Sequence, residues 1–311
     1  MASIINVEEL SKSFGNFQAV RNLSFEVQEG DVFGFLGQNG AGKSTTIRML
    51  LSLIRPDSGR IRIFGQDLRT HREAILRRTG AIIEQPDLYP YLTGYENLRL
   101  FARMGGADCS RPALMRKLER VGMASRADDA VKKYSQGMRQ RLGIAVALVQ
   151  DPELVILDEP TNGLDPQGIV DIRHLILDMN RQEGKTFVVS SHLLAEVELI
   201  ANRMLIIDKG TKVVEGPVRE LIHPDRVILD IETTEPERSA QIIGGSAWAS
   251  AQKPAGPGRL QLDLRRDDVP ALTALLVREG IGVLSLRPVN TLEAYFLSQT
   301  NIPAYADDGA H

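Results

Sequence analysis

The sequence runs to 311 residues, enough for about two domains at roughly 100–200 residues each, with a sizeable core. Hydrophobic residues make up 43% and charged residues 25%, and 37 Lys and Arg against 40 Asp and Glu leave a formal net charge of −3, so no global basic excess points to nucleic acid or an anionic membrane surface. A single cysteine, Cys109, excludes an intrachain disulfide framework and fits a reducing compartment, and no apolar run approaches the ~18 residues that span a bilayer. The start carries Glu8 and Glu9 and no basic-then-apolar leader, so the chain is expected not to be secreted.

In chain order, residues 1–220 alternate short β-rich runs with helical stretches. Strands are expected at 32–36, 60–64, 81–84, 154–157, 187–190 and 204–208. Several are uninterrupted apolar runs, the pattern of strands buried on both faces of a parallel sheet, and their alternation with helices such as 43–53 argues for an α/β core. Residues 88–149 read mostly helical (96–104, 111–121, 138–149), with no convincing strand, and form a helical insertion. Composition shifts after Pro217, and His223-Pro224 is a break. Beyond it, residues 221–300 read as a smaller α+β domain. It has strands at 227–232, 260–264 and 282–286, helices at 269–279 and 292–298, and loops at Gly244-Gly245 and 253–258. The tail 301–311 is expected to be disordered.

Gly37-Gln38-Asn39-Gly40-Ala41-Gly42-Lys43-Ser44 fits G-x-x-x-x-G-K-[ST] between a predicted strand and a predicted helix, the context of a P-loop. The glycines permit backbone angles at which successive N–H groups face phosphate oxygens, and the helix beginning near Lys43 adds its partial positive charge. Lys43 is expected to reach the β- and γ-phosphates and Ser44 to take a Mg²⁺ position, with Thr45 joining the nucleotide-binding residues. The chain is therefore expected to bind a nucleoside triphosphate. The apolar strand 154–157 then delivers Asp158 at a carboxyl end, where open α/β sheets bind ligands, to hold Mg²⁺ directly or through water. Glu159, one residue on, is placed to polarise an attacking water.

With these residues in view, the sequence resembles the nucleotide-binding subunit of ABC transporters over residues 4–220. Tyr134-Ser135-Gln136-Gly137-Met138-Arg139-Gln140-Arg141 is similar to the family's signature motif, usually L-S-G-G-Q. Gln85, at the end of the 81–84 strand, resembles the Q-loop glutamine, Gly163-Leu164-Asp165 the D-loop, and His192 the switch histidine. Phe14 sits where the family's adenine-stacking aromatic lies, with Phe17 a nearby competitor. The resemblance implies a P-loop NTPase (RecA-like) core with a β subdomain, the helical insertion and the small C-terminal α+β domain. It implies ATP and Mg²⁺ as ligands, with Gln85 meeting Mg²⁺ or the attacking water and His192 meeting the γ-phosphate. Ser135 and Gly137 would serve the ATP of a second ATP-binding subunit, identical or closely homologous, arranged head to tail, and Asp165 of the D-loop joins the nucleotide-binding residues. Integral membrane permease subunits complete the assembly, which places this chain peripherally on the cytoplasmic face of the membrane, with no nucleic-acid partner.

The signature departs from the commonest form at Tyr134, Gln136 and Met138 and keeps Ser135 and Gly137, so its contact groups survive and Gln136 bears only on local backbone geometry. The Y-S-x-G-M form, the stretch Thr161-Asn162-Gly163-Leu164-Asp165-Pro166 and the closing segment from Asn290 to Leu297 resemble the branch containing bacitracin, lantibiotic and other drug exporters. The closing helix is expected to pack on its own domain. The aromatic, proline-rich Pro86-Asp87-Leu88-Tyr89-Pro90-Tyr91-Leu92 suits contact with a membrane subunit, or a packed connection. Two other readings stay open: a soluble ABC ATPase of repair, translation or cofactor assembly, and an ATP-dependent sensor. A single cassette without long coiled coils favours transport, and an intact Glu159 and His192 favour hydrolysis.

Overall fold

The computed structural model describes residues 2–221, 226–253 and 259–289, and the chain divides into two compact units between Pro217 and Val218. The first opens with a hairpin absent from the strands expected above: β1 (Ser3–Phe14) pairs antiparallel with β2 (Phe17–Gln28). Both strands mix buried and exposed residues and β1 slips register at several points, so neither carries the continuous apolar run of a doubly buried strand. There follow β3 (Val32–Leu36), α1 (Lys43–Leu50), β4 (Ser58–Ile63), β5 (Gln66–Asp67), α2 (Arg72–Arg77), β6 (Thr79–Ile82), α3 (Gly94–Gly105) and α4 (Arg111–Arg120). The unit continues with α5 (Gln136–Ala147), β7 (Leu154–Asp158), α6 (Pro166–Glu183), β8 (Thr186–Ser191), α7 (Leu194–Glu198), β9 (Arg203–Asp208) and β10 (Thr211–Pro217).

These strands make two sheets. One is antiparallel in the order β2-β1-β4-β5. The other runs β10-β9-β3-β8-β7-β6, parallel from β9 to β6 with β10 antiparallel at its edge. Every residue of β3, β7 and β8 is buried, because the parallel sheet is covered on both faces. The pleat splits β7 between two cores. Leu154 and Ile156 pack with Ile5, Leu23, Phe25 and Ile47, whereas Val155 and Leu157 pack with Leu98, Leu118, Tyr134 and Leu142 of the helical insertion.

Local chemistry sets the element ends, and several differ from the sequence expectation. α1 stops at Leu50 rather than 53, because the N–H groups of Leu53 and Ile54 both turn back to Arg48 O. α3 starts at Gly94 through a capping box: Thr93 Oγ1 accepts from Glu96 N at 3.1 Å, and Glu96 Oε2 accepts from Thr93 N at 2.8 Å. α5 begins at Gln136 rather than 138 because Ser135 caps it. β6 ends at Ile82 and Glu84 turns left-handed at φ +60°, so Gln85 stands three residues beyond the strand instead of closing it.

The second unit contains α8 (Val218–Leu221), β11 (Arg226–Thr233), α9 (Pro236–Gly244), β12 (Gln252–Lys253), β13 (Leu260–Arg265), α10 (Val269–Arg278) and β14 (Val283–Val289). After α8 the order is β-α-β-β-α-β on one antiparallel sheet, β12-β13-β11-β14, the split βαβ arrangement. Leu229, Ile231, Ile243, Leu262, Leu264, Leu272 and Leu276 form its core. The sequence reading did not anticipate α9 and β12; Pro236 opens α9 and the Gly244-Gly245 pair closes it. The break at His223-Pro224, loop residues 254–258, the closing helix at 292–298 and the tail 301–311 lie outside the described residues. Among the described residues no helix is long and apolar enough to cross a membrane.

Candidate active site

Strand order assembles the site. β3 lies beside β8 and β8 beside β7, in a register that sets Leu36 opposite Ser191 and Asp158 opposite Ser190. The carboxyl ends of three parallel strands thus open at one place, where such sheets bind ligands. Gly37 to Ser44 leave β3 there, with Gly40 at φ +82° and Gly42 at φ +106°. A Cβ on Gly42 would also stand 2.6 Å from Ala19 O, so only glycine fits. Gly42 caps α1 without a side-chain oxygen, which leaves the first-turn amides to an anion. Ala41 is buried, Asn39 and Gly40 are exposed, and Gln38, Ser44 and Thr45 are half-buried. Lys43 is buried, and its Nζ donates to Gly37 O at 2.6 Å and Gln38 O at 3.3 Å.

The two carboxylates meet this loop. Asp158 is buried, and its Oδ1 accepts from the Ser190 hydroxyl at 2.5 Å, while its Oδ2 is buried without a hydrogen-bond partner. Glu159 turns left-handed at φ +51°, and its N–H donates to Ser190 Oγ at 2.9 Å. One hydroxyl therefore orients the Asp158 carboxylate and anchors the backbone of Glu159. Glu159 Oε1 lies 3.2 Å from Lys43 Nζ, an ion pair whose angles do not make a hydrogen bond. Glu159 Oε2 lies 2.8 Å from His192 Nδ1, so Nδ1 carries the proton that bridges them. Lys43, Asp158, Glu159, Ser190 and His192 form one connected group: a cation, two acids, a hydroxyl and an imidazole beside a loop of inward amides. Ser190 was not among the residues expected from sequence; its only signal is a polar pair, Ser190-Ser191, closing an apolar strand.

The other expected residues stand apart from this group. Phe14 is half exposed at the end of β1, with Lys12 Nζ 5.5 Å from its ring centroid. Lys12 pairs with Asp57 at 2.8 Å, and Asp57 also accepts from Ser13 N at 2.7 Å; the two bonds hold the Asp57 carboxyl below the usual carboxylate range and pin the tip of the hairpin. Phe17 is exposed as well. Gln85 is exposed, next to Pro86, which packs closely against Gly143 of α5. Asp165 caps α6, accepting from Gly168 N at 2.7 Å. Ser135 is exposed and accepts from Met138 N at 3.3 Å, and a Cβ on Gly137 would meet Leu164 Cδ2 in ordinary contact at 3.9 Å.

Two departures in the signature acquire a reason. Tyr134 is buried, and its hydroxyl donates to Arg126 O at 2.5 Å, which ties α5 to the loop after α4; burial also pushes its phenol upward. Gln136 does more than adjust local backbone: its Nε2 donates to Asn162 O at 3.0 Å, in the loop that contains Asp165.

A family model described as "ABC transporter" matches residues 20–162. The bacitracin transport ATP-binding protein BcrA of Bacillus licheniformis is 39% identical over 96% of this chain and 97% of its own length. The Nod factor export ATP-binding protein I of Cupriavidus metallidurans is 37% identical over 96% of this chain and 98% of its own length. Among solved structures, a dimeric ATP-binding cassette in a post-hydrolysis state bound to ADP and Pi superposes with a TM-score of 0.62 at 25% identity, covering 69% of this chain and 99% of that one.

Proposed function

This chain belongs to the ATP-binding proteins of ABC transporters, and from that premise we propose that it pairs head to tail with a second such subunit and hydrolyses Mg²⁺-ATP at their interface to drive export through membrane subunits. The chain is a nucleotide-binding ATPase with a P-loop NTPase fold. The observation that carries the residue assignment is the connected group of Lys43, Asp158, Glu159, Ser190 and His192 at the carboxyl edge of the parallel sheet.

Each group has a role its chemistry suits. The amides from Gly37 to Thr45 and the ammonium of Lys43 hold the phosphates. Among the described residues no three His, Cys, Asp or Glu side chains could enclose a metal on their own. The donor set instead fits a cation shared with phosphate oxygens: the buried, unpartnered Asp158 Oδ2 and the Ser44 hydroxyl would hold Mg²⁺, with Gln85 a further oxygen donor. When bound, Mg²⁺ supplies positive charge against the β- and γ-phosphate oxygens. Glu159 orients the attacking water and accepts its proton, and His192 steadies Glu159 and reaches for the γ-phosphate. Phe14 takes the adenine face. Ser135 and Gly137 act on the neighbouring subunit's ATP, and Asp165 shapes the loop beside them. Catalysis is then mainly positioning and electrostatics.

The export reading draws on relatives of nearly equal length whose names differ in cargo, bacitracin and Nod factor, at similar identity. Cargo choice then falls to the membrane subunit, and a drug, antibiotic peptide or lipid-like molecule is the class we assign. A docking face for that subunit is the segment around Tyr89 and Tyr91, whose rings are exposed while buried Asn97 bonds Tyr89 N, Tyr89 O and Thr93 O and holds the backbone in shape. The chain is peripheral on the cytoplasmic face in this reading.

The test uses the Glu159→Gln chain, which keeps the shape of the site but loses the charge that accepts a proton; turnover should fall by about 10²–10⁴ with ATP still bound. Sedimentation should show Mg²⁺-ATP, and not ADP, drawing two such subunits together. Ser135→Arg added to it should weaken pairing and spare binding at the chain's own P-loop. Undiminished hydrolysis by Glu159→Gln, or undiminished pairing with Ser135→Arg, would refute the assignment.

A further inference from the structure

We propose that Gln136 is a positioning residue: it latches the signature segment to the D-loop of its own chain, so that the groups meeting a neighbour's ATP and the carboxylate acting on this chain's ATP move together. The proposal rests on the functional reading above. Its first support is the bond from Gln136 Nε2 to Asn162 O at 3.0 Å. The amide also fills the space that a side chain at residue 163 would take. A Cβ on Gly163 would stand 2.4 Å from Gln136 Nε2 and 3.1 Å from its Cδ, and Gly163 itself is left-handed at φ +72°. The glycine and the glutamine thus fit as a pair.

The latch continues in both directions. Within the chain, Asn162 N donates to Glu159 O at 3.2 Å and Leu164 N to Thr161 O at 3.2 Å, closing turns that run straight back to the catalytic carboxylate. Glu159 holds a left-handed backbone, a strained state for a non-glycine residue that persists only when its surroundings fix it. On the helix side, Arg141 of α5 pairs with Asp171 of α6, and Asp171 is in turn oriented by Gln167 Nε2 at 2.9 Å. The signature helix is therefore pinned twice, by its first residue to the loop before α6 and, about a turn and a half further in, to α6 itself. A glycine at position 136, the residue usual in the family's signature, has no side chain with which to make the outer pin.

Because the outer bond joins neutral groups at an exposed position, its removal should change turnover by about 2–10-fold rather than abolish it. The test uses the full chain with Gln136→Met, which keeps length and removes the donor; Gln136→Gly, which restores the usual residue; and Gln136→Glu, which sets a carboxylate against Asn162 O. Hydrogen exchange at residues 161–165, ATP turnover with its Hill coefficient, nucleotide affinity and melting temperature are measured for each.

Faster exchange at 161–165, with kcat down about 2–10-fold, a Hill coefficient falling toward one, and affinity and melting temperature held, is the expected result. Gln136→Glu should fall at least as far as Gln136→Met. Unchanged exchange and kcat in Gln136→Met overturn the latch. So does a fall in kcat matched by equal losses of affinity and melting temperature, which marks a structural role alone. If the unmutated chain neither turns over nor pairs, the functional reading fails by itself. The exchange measurement then decides separately: unchanged exchange removes the latch, and faster exchange without any turnover removes its role in catalysis.

Discussion

Ser190→Ala removes one oxygen from the centre of the site. The hydroxyl is fully buried, donates to Asp158 Oδ1 at 2.5 Å and accepts from Glu159 N at 2.9 Å. Alanine fills nearly the same volume, so the cavity contribution is small and the two bonds dominate. The bond to the carboxylate is charge-assisted and is worth about 1.5–3 kcal/mol, and the amide bond adds about 0.5–1.5 kcal/mol. A destabilisation of about 2–4 kcal/mol follows, which for the unit Met1–Pro217 lowers the melting temperature by about 5–15 °C. If the carboxylate bond is expressed fully in the transition state, kcat falls about 10- to 100-fold. The assay is thermal unfolding with and without Mg²⁺-ATP, beside steady-state ATP hydrolysis. Ser191→Ala is the control, since its hydroxyl accepts only from Leu193 N at 3.0 Å, and it should lose less than half as much stability and keep most of its turnover. A Ser190→Ala chain that melts within 1–2 °C of its parent (about 0.5 kcal/mol) and hydrolyses ATP at the parental rate would refute the claim that this hydroxyl holds the two acids.

Three further outcomes are expected. Tyr134→Phe removes the shorter of the two bonds that Arg126 O accepts and leaves the one from Asp129 N at 3.1 Å, so it should cost about 0.5–1.5 kcal/mol in chemical denaturation while leaving nucleotide affinity unchanged. The hydrogen bond from Lys185 holds the Asp151 carboxyl below its ordinary range, so its stabilisation is complete above about pH 4 and is lost as pH falls through the lower folded value. Asp151→Asn should therefore be less stable than its parent at pH 7 by about 1 kcal/mol, a modest figure because the carboxylate is 68% exposed, and denaturation curves at pH 7, 4 and 3 should show the gap closing. Phe14→Ala should raise the Kd for ATP about 5- to 150-fold, about 1–3 kcal/mol by analogy with bases stacked in nucleic-acid sites, with kcat at saturation little changed; a larger effect from Phe17→Ala would move the adenine contact to that ring.

The phosphate loop and the acidic pair were legible in the sequence because their chemistry is local. Gly37 to Ser44 are consecutive, and Asp158 and Glu159 close a single apolar run. β3, β7 and β8 were legible for a related reason, since a strand covered on both faces becomes a continuous apolar word. The hairpin of β1 and β2 was not, because strands with mixed exposure and broken register show neither an apolar run nor a clean alternation. The roles of Ser190, Tyr134 and Gln136 lay further out of reach. Each depends on a partner brought up by the packing of elements distant in sequence or by the course of a loop: Asp158 from the next strand, Arg126 from the loop before the helix, Asn162 from the far side of β7. The order β9-β3-β8-β7 sets Ser190 opposite Asp158. No periodicity encodes that order, because parallel neighbours are chosen by how the crossover helices pack the whole sheet, and only the folded chain brings those residues together.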